Sequence, residues 1–221
     1  MRCVFRYFLV LAVGLAGCES DEAPPVAIER ILVIGNSITY HPPEPAIGWN
    51  ADWGMAASSP ERDYFSRLKD SLQLHMPDLE MIRENVFPFE RSFASLDQSQ
   101  YQELREFDAD LLVIRLGENV SPSALREWNF SEALQDFSAY LVPSEARVIL
   151  TTTFWPNPEV NQHLRHAASQ QGWEVVELSD LGQEARYMAL GDFSTESVGR
   201  HPNDLGMAVI SQRLTRQILN P

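Results

Sequence analysis

Arg30-Ile31-Leu32-Val33-Ile34-Gly35-Asn36-Ser37 is the stretch that decides the fold. An unbroken run of aliphatic residues leaves neither side of a strand to face water, so this strand is buried on both faces. Strands of that kind belong to parallel sheets with helices packed on either side, because a one-sided antiparallel sheet alternates apolar and polar positions. Gly35-Asn36 ends the run with turn chemistry, and the chain leaves the strand at Ser37.

Downstream of that turn, residues 41–60 hold four prolines and two tryptophans with little periodicity, which predicts a long loop with its own packing. Residues 61–76 then place Tyr64, Phe65, Leu68, Leu72 and His75 at helical spacing, with Pro77 as a stop. The alternation continues with strands over 79–83, 110–116, 147–152 and 173–178. Helices are predicted over 100–107, 123–141 (opened by Ser121-Pro122), 159–170 and 203–219, the last capped by Asn203 or Asp204. Strand–helix alternation of this kind predicts an α/β fold: three layers around a five-stranded, mainly parallel sheet with right-handed crossovers. In such sheets the ligand crevice lies at the carboxyl ends of the strands.

The chain has 221 residues, 44% hydrophobic and 22% charged, enough for one domain with a sizeable core. Arg2 and Arg6 followed by an apolar or small stretch over 8–16 read as a secretory signal, too short to span a bilayer. Leu15-Ala16-Gly17-Cys18 resembles the bacterial lipobox, which implies removal of residues 1–17 and lipidation of Cys18 as the new N-terminus. Residues 18–28, with Pro24-Pro25, then form a tether, and 29–221 the folded domain. The one other cysteine, Cys3, falls in the removed segment, so no disulfide is expected despite an oxidising compartment. The resemblance to diderm lipoproteins implies, from Glu19 rather than Asp after Cys18, the periplasmic face of an outer membrane, with the lipid anchor as the membrane contact. The formal charge is −14; losing Arg2 and Arg6 and no acid makes it −16, which excludes nucleic acid as a natural partner. An oligomeric state is not specified.

Four features share the carboxyl rim of the predicted sheet: Ser37, Gly117-Glu118-Asn119, Phe154-Trp155-Pro156, and His201 just before the last helix. A serine hydroxyl needs a base near its working pH, and histidine is the usual one. An acyl oxyanion needs preorganised N–H donors, which the Asn119 amide and the Ser37 backbone can supply. Taken singly, Gly-Asn-Ser is also a phosphate-binding turn and a lone histidine is commonly structural. No GxGxxG or GxxxxGK[ST] follows the first strand, no HExxH pairs the histidines, and no cysteine cluster exists, so nucleotide and zinc chemistry are disfavoured and no cofactor is expected.

Ile34-Gly35-Asn36-Ser37-Ile38-Thr39, Gly117-Glu118-Asn119 and His201-Pro202-Asn203 together resemble the blocks of the SGNH (GDSL-like) hydrolases, in the same order and strand context. Gly48-Trp49 and Trp53-Gly54-Met55-Ala56-Ala57-Ser58 are similar to a bacterial subgroup of that family. The resemblance implies a flavodoxin-like domain hydrolysing esters, with Ser37 attacking, His201 as base and Asn119 in the oxyanion hole. Three positions depart from the family pattern. Asn36 replaces the usual Asp before the serine; residues 84–91 lack the glycine that donates an oxyanion N–H after strand two; and Val198 stands where the family's acid sits, three before the histidine. Glu196 or Asp192 can take over if the loop folds back, or a backbone carbonyl can fix the tautomer and leave a Ser-His dyad.

Trp49, Trp53 and Trp155 near the rim suit sugar faces, and equally suit pinning the long loop to the body. Glu44, Asp52 and Glu90 read as solvated loop charges. The expected substrate is a carbohydrate carrying O-acetyl or another small acyl group. The alternatives are a lipase, lysophospholipase or thioesterase, and a glycan-binding protein that kept the fold and lost the chemistry.

Overall fold

A computed structural model describes residues 27–220, and in it Arg30–Gly35 forms strand β1. β1 pairs in parallel with β2 (Glu80–Asn85) on one side and β3 (Leu111–Arg115) on the other. β4 (Arg147–Thr151) and β5 (Glu174–Val176) extend the β3 side, also in parallel, giving the order β2-β1-β3-β4-β5. This is the expected five-stranded α/β sheet, in the flavodoxin-like order. Its direction of growth reverses between β1 and β3, and such a reversal opens a crevice at the carboxyl ends of those two strands.

Side chains alternate across the sheet and build one core on each face. Leu32, Ile34, Leu112, Ile114 and Leu150 meet Phe89 of α2 (Phe87–Ser92), Leu104 of α3 (Gln102–Glu106), Leu125 of α4 (Pro122–Glu127), α5 (Phe130–Leu141) and α6 (Pro158–Gln171). Ile31, Val33, Leu111, Val113 and Ile149 meet α1 (Tyr64–Gln73) and α8 (Asp204–Leu219). The buried stripe Phe130-Leu134-Phe137-Leu141 recurs at helical spacing, and each such side chain stabilises the fold by about 1.5–3 kcal/mol.

Local chemistry explains where the elements differ from expectation. α1 starts at Tyr64 because Asp63 caps it, its carboxylate accepting from Ser66 N at 2.8 Å; residues 60–62 form a 3-10 turn before it. The single helix expected over 123–141 is two: Trp128 is extended, and the Asn129 side chain caps α5 by accepting from Glu132 N. The short helix α2 was not foreseen; Pro88 sits in its first turn, where a missing N–H does no harm. The loop over 41–60 has a small core of its own, in which Trp49, Met55 and Ala56 pack on Ala189 and on Val198 of α7 (Glu196–Gly199).

The signal segment and Cys18 lie outside the described residues. Ile28, expected in the tether, already packs against the α1/α8 core, so folded structure begins just ahead of Glu29.

Candidate active site

Gly35 is what lets the chain turn so sharply after β1: a Cβ there would lie 1.9 Å from Thr39 Oγ1 and 2.6 Å from the Arg115 carbonyl oxygen. The Asn36 carbonyl then accepts from Thr39 N at 2.8 Å and Tyr40 N at 3.0 Å, which lifts Ser37 above the strand end. On the other side of the crevice, Asn203 caps α8 by accepting from Leu205 N and Gly206 N at 3.0 Å. Its amide also donates to the Arg186 and Met188 carbonyls at 2.9 Å, pinning the segment that carries His201.

These supports bring Ser37 Oγ to 2.8 Å from His201 Nε2, across 164 positions of sequence. The imidazole Nδ1 lies 2.8 Å from the Ser197 carbonyl oxygen. A carbonyl only accepts, so Nδ1 carries the proton and Nε2 is left to accept from the Ser37 hydroxyl. The Ser197 carbonyl is available because Arg200 N and His201 N donate to Glu196 and Val198 instead. Glu196 does not orient the ring: its carboxylate takes two bonds from Arg200, at 2.6 and 2.9 Å, and its side chain is 75% exposed. Val198 is fully buried against Trp49 and its neighbours, so packing in the loop core accounts for a valine there.

Burial lowers the His201 pKa from 6.5 to about 4, and the positive charge of Arg115 adds to the effect; the Ser197 carbonyl and Glu118 oppose it. Trp155 contributes to the enclosure, its ring edge-on to the imidazole at a centroid distance of 5.3 Å. The imidazole is thereby held neutral, as a general base requires.

Beneath the pair runs a buried polar network that sequence reasoning missed. Arg115, fully buried, donates to Asn36 Oδ1 at 2.7 Å and pairs with Glu118 at 2.8 Å. The Glu118 carboxylate also accepts from Phe154 N at 2.8 Å and Asn36 Nδ2 at 2.7 Å. Glu90 is a correction: expected as a solvated loop charge, it has no exposed surface, because α2 turns it inward beneath the Gly117–Asn119 turn. Burial and the neighbouring Glu118 charge push its carboxyl up, while hydrogen bonds from Asn119 and Gly117 pull it back. An arginine closing the otherwise apolar run Leu111-Leu112-Val113-Ile114 was the one sequence signal for this network.

Asn119 lines the cavity, and one hydrogen of its side-chain amide is taken by Glu90 at 2.7 Å, leaving the other free. Residues 86–89, which follow β2, keep no free backbone donor. Val86 N goes to the Gly35 carbonyl, Phe87 N to Asn85 Oδ1 and Phe89 N to the Val86 carbonyl, and Pro88 has no N–H. Among the described residues, the Ser37 backbone N–H is given no protein acceptor.

Ser37, His201 and Asn119 open onto a cavity of about 720 Å³, walled by Tyr40, Ile47, Met55 and Phe87 with Glu44, Glu84 and Asn85. A second cleft of about 420 Å³, between α1 and α8, has no such pair. None of the three tryptophans lines the cavity, which corrects the sugar-platform expectation. Trp49 is 2% exposed and packs on Trp53, and Trp155 stands behind His201. The exposed aromatic wall is Phe87, 44% exposed and two residues past the end of β2. Among the described residues, no group of three His, Cys, Asp or Glu side chains is placed to hold a metal ion.

The sequence matches no protein-family profile and no curated protein. Solved structures do share the fold. The psychrotrophic esterase EstA from Pseudoalteromonas sp. aligns with a TM-score of 0.58 at 15% identity, over 87% of this chain and 100% of that one. An α/β hydrolase enzyme from the metagenome of Lake Arreo, Spain, gives 0.57 at 18% identity, over 87% and 97%. An acetyl xylan esterase gives 0.54 at 13% identity, over 86% and 99%. At such identities the likeness establishes the architecture.

Proposed function

We propose that this chain is an SGNH-type serine esterase that removes small acyl groups, acetyl foremost, from a neutral carbohydrate. The observation that carries the reading is the 2.8 Å contact of Ser37 Oγ with a His201 Nε2 whose tautomer is fixed by the Ser197 carbonyl, on the wall of an open cavity.

In the reaction, Ser37 Oγ bonds to the acyl carbon as its proton passes to Nε2. The developing oxyanion is met by the Ser37 N–H and the free hydrogen of the Asn119 amide, each donor contributing about 2.7–4 kcal/mol in comparable sites. The imidazolium returns its proton to the leaving sugar oxygen. Water then attacks the acyl-serine with His201 again as base, releasing the carboxylic acid. Among the described residues, no carboxylate bonds to the imidazole Nδ1, whose partner is the Ser197 carbonyl. In a well-studied triad, however, the loss on replacing the acid by its amide was about 10⁴-fold and came from the wrong tautomer, a fault the Ser197 carbonyl avoids. This favours a working dyad over a binding protein that has lost its chemistry.

Charge favours a neutral glycan over a phospholipid or an acyl-coenzyme thioester. Glu44 and Glu84 face the cavity, no lysine or arginine among the described residues is in its walls, and the whole chain carries −14. That a structural neighbour is an acetyl xylan esterase agrees with this choice. Purified protein is expected to hydrolyse p-nitrophenyl acetate faster than the octanoate, and acetylated xylan faster than acetylated pectin. Preference for the long chain would move the assignment to a lipid substrate, and preference for the anionic polymer to an acidic glycan.

We place the enzyme at the cell envelope, anchored through Cys18, on the strength of the lipobox-like Leu15-Ala16-Gly17-Cys18. Cys18→Ser is expected to release it from the membrane fraction, and its retention there would remove the anchor from the account.

A further inference from the structure

One buried carboxylate at the site, Glu90, takes four hydrogen bonds and has no part in the steps above. Glu90 Oε1 accepts from Gly117 N at 2.6 Å, Asn36 Nδ2 at 3.1 Å and Asn119 N at 3.3 Å, and Oε2 accepts from Asn119 Nδ2 at 2.7 Å. A carboxylate offers acceptors only, whereas an amide has two unlike ends. Facing Glu90, Asn119 has to present its NH2 end, and the same carboxylate ties down the backbone of the turn that carries it. Asn36 is bound just as tightly. Its NH2 lies between Glu90 at 3.1 Å and Glu118 at 2.7 Å, while its Oδ1 accepts from Arg115 at 2.7 Å. Two buried carboxylates thus flank one neutral amide that donates to both, and Glu118 alone also pairs with the buried Arg115.

We propose that Glu90 is a positioning residue, its buried carboxylate holding the Gly117–Asn119 turn and the NH2 end of Asn119 for the oxyanion, and that residue 36 has to be an amide because Glu90 and Glu118 already occupy the adjacent space. The positioning role rests on the esterase reading; the pairing of residues 36 and 90 does not. An aspartate at 36 sets an acceptor against two acceptors and adds a third negative charge beside Glu90 and Glu118. A glutamine at 90 keeps the volume but turns a donor toward N–H groups and lets the Asn119 amide flip.

The test is a cycle of Asn36→Asp, Glu90→Gln and the double variant, read by thermal melting and by steady-state hydrolysis of p-nitrophenyl acetate. In Glu90→Gln, kcat per folded molecule is expected to fall about 10²-fold, the scale of losing one oxyanion donor, with KM changed by less than about twofold. A residue that only props the fold lowers Tm and leaves kcat alone. Asn36→Asp is expected to lower Tm, and the double variant to lose less than the sum of the singles, because the second change removes one of three crowded charges. Should Glu90→Gln fail to fold, Glu90→Asp keeps the charge but withdraws it by one methylene, and it is expected to lose kcat on the same scale. Wild-type kcat in the folded position-90 variant, or additive Tm losses, overturns the proposal. A wild type that hydrolyses no ester sinks the esterase reading and the positioning role with it, while the melting cycle still decides whether residues 36 and 90 are coupled.

Discussion

Lowering the pH titrates His201 in a window set by its burial. An imidazole of ordinary pKa 6.5 is about 9% neutral at pH 5.5, whereas one held at about 4 is about 97% neutral. An active site using His201 as base therefore keeps nearly full kcat/KM at pH 5.5, about tenfold more than an ordinary histidine would allow, and loses half its activity near pH 4. The same shift bears on stability. Between pH 6.5 and about 4 the unfolded chain binds a proton at this position that the native state does not, so native stability is complete above 6.5 and declines as pH falls toward 4. The full shift corresponds to about 3 kcal/mol, an upper bound because one edge of the ring reaches the cavity. The assay is the initial rate of aryl acetate hydrolysis from pH 4 to 8, with the released phenol separated by chromatography, alongside Tm in the same buffers. An acid limb with its midpoint near 6.5 would refute the burial reasoning, since it would mean that the imidazole is solvated like a free one.

Val198→Asp restores an acid at the family's usual position, yet it sets a carboxylate among Trp49, Met55, Ala56 and Ala189. It is expected to destabilise by about 3–5 kcal/mol and to leave kcat no higher; a gain in kcat without loss of Tm would show that ring orientation had been limiting. Glu196→Gln removes only an exposed pairing with Arg200 and should leave kcat/KM and its pH profile unchanged; a large loss would return Glu196 to the site. Gly35→Ala forces a methyl against the Arg115 carbonyl 2.6 Å away and is expected to cost about 1–3 kcal/mol. That corresponds to a Tm loss of about 2–4 °C per kcal/mol, and an unchanged Tm would mean that the turn is looser than described.

What was legible in the sequence was what repeats along it. β1, β3 and β4 are apolar on both faces, so their burial and parallel pairing could be read directly, and the carboxyl-end rule then gathered Ser37, Asn119 and His201 onto one rim. What was not legible depends on contacts between distant segments. Glu90 sits in Phe87-Pro88-Phe89-Glu90-Arg91, where a charge beside an arginine reads as surface; only the close approach of α2 to the turn after β3 buries it. The partner of His201 Nδ1 is a main-chain carbonyl, and main-chain groups leave no mark on residue identity. The tryptophans were open to two readings because an aromatic ring packs as readily on protein as on a sugar, and Val198, which looked like a missing acid, proves to be what Trp49 packs against. The break at Trp128-Asn129 was masked by apolar spacing that continues across it, although Asn129 is a good cap.

The central claim is that the Ser37 hydroxyl is activated by His201, and covalent trapping examines it most directly. Wild-type protein and the Ser37→Ala and His201→Ala variants would be exposed to a fluorophosphonate and weighed intact by mass spectrometry. The account expects one adduct on wild type, mapped to Ser37, none on Ser37→Ala, and strongly slowed labelling of His201→Ala. An adduct on Ser37→Ala at the wild-type rate, or a wild type that stays unlabelled under conditions that modify other serine hydrolases, would contradict it.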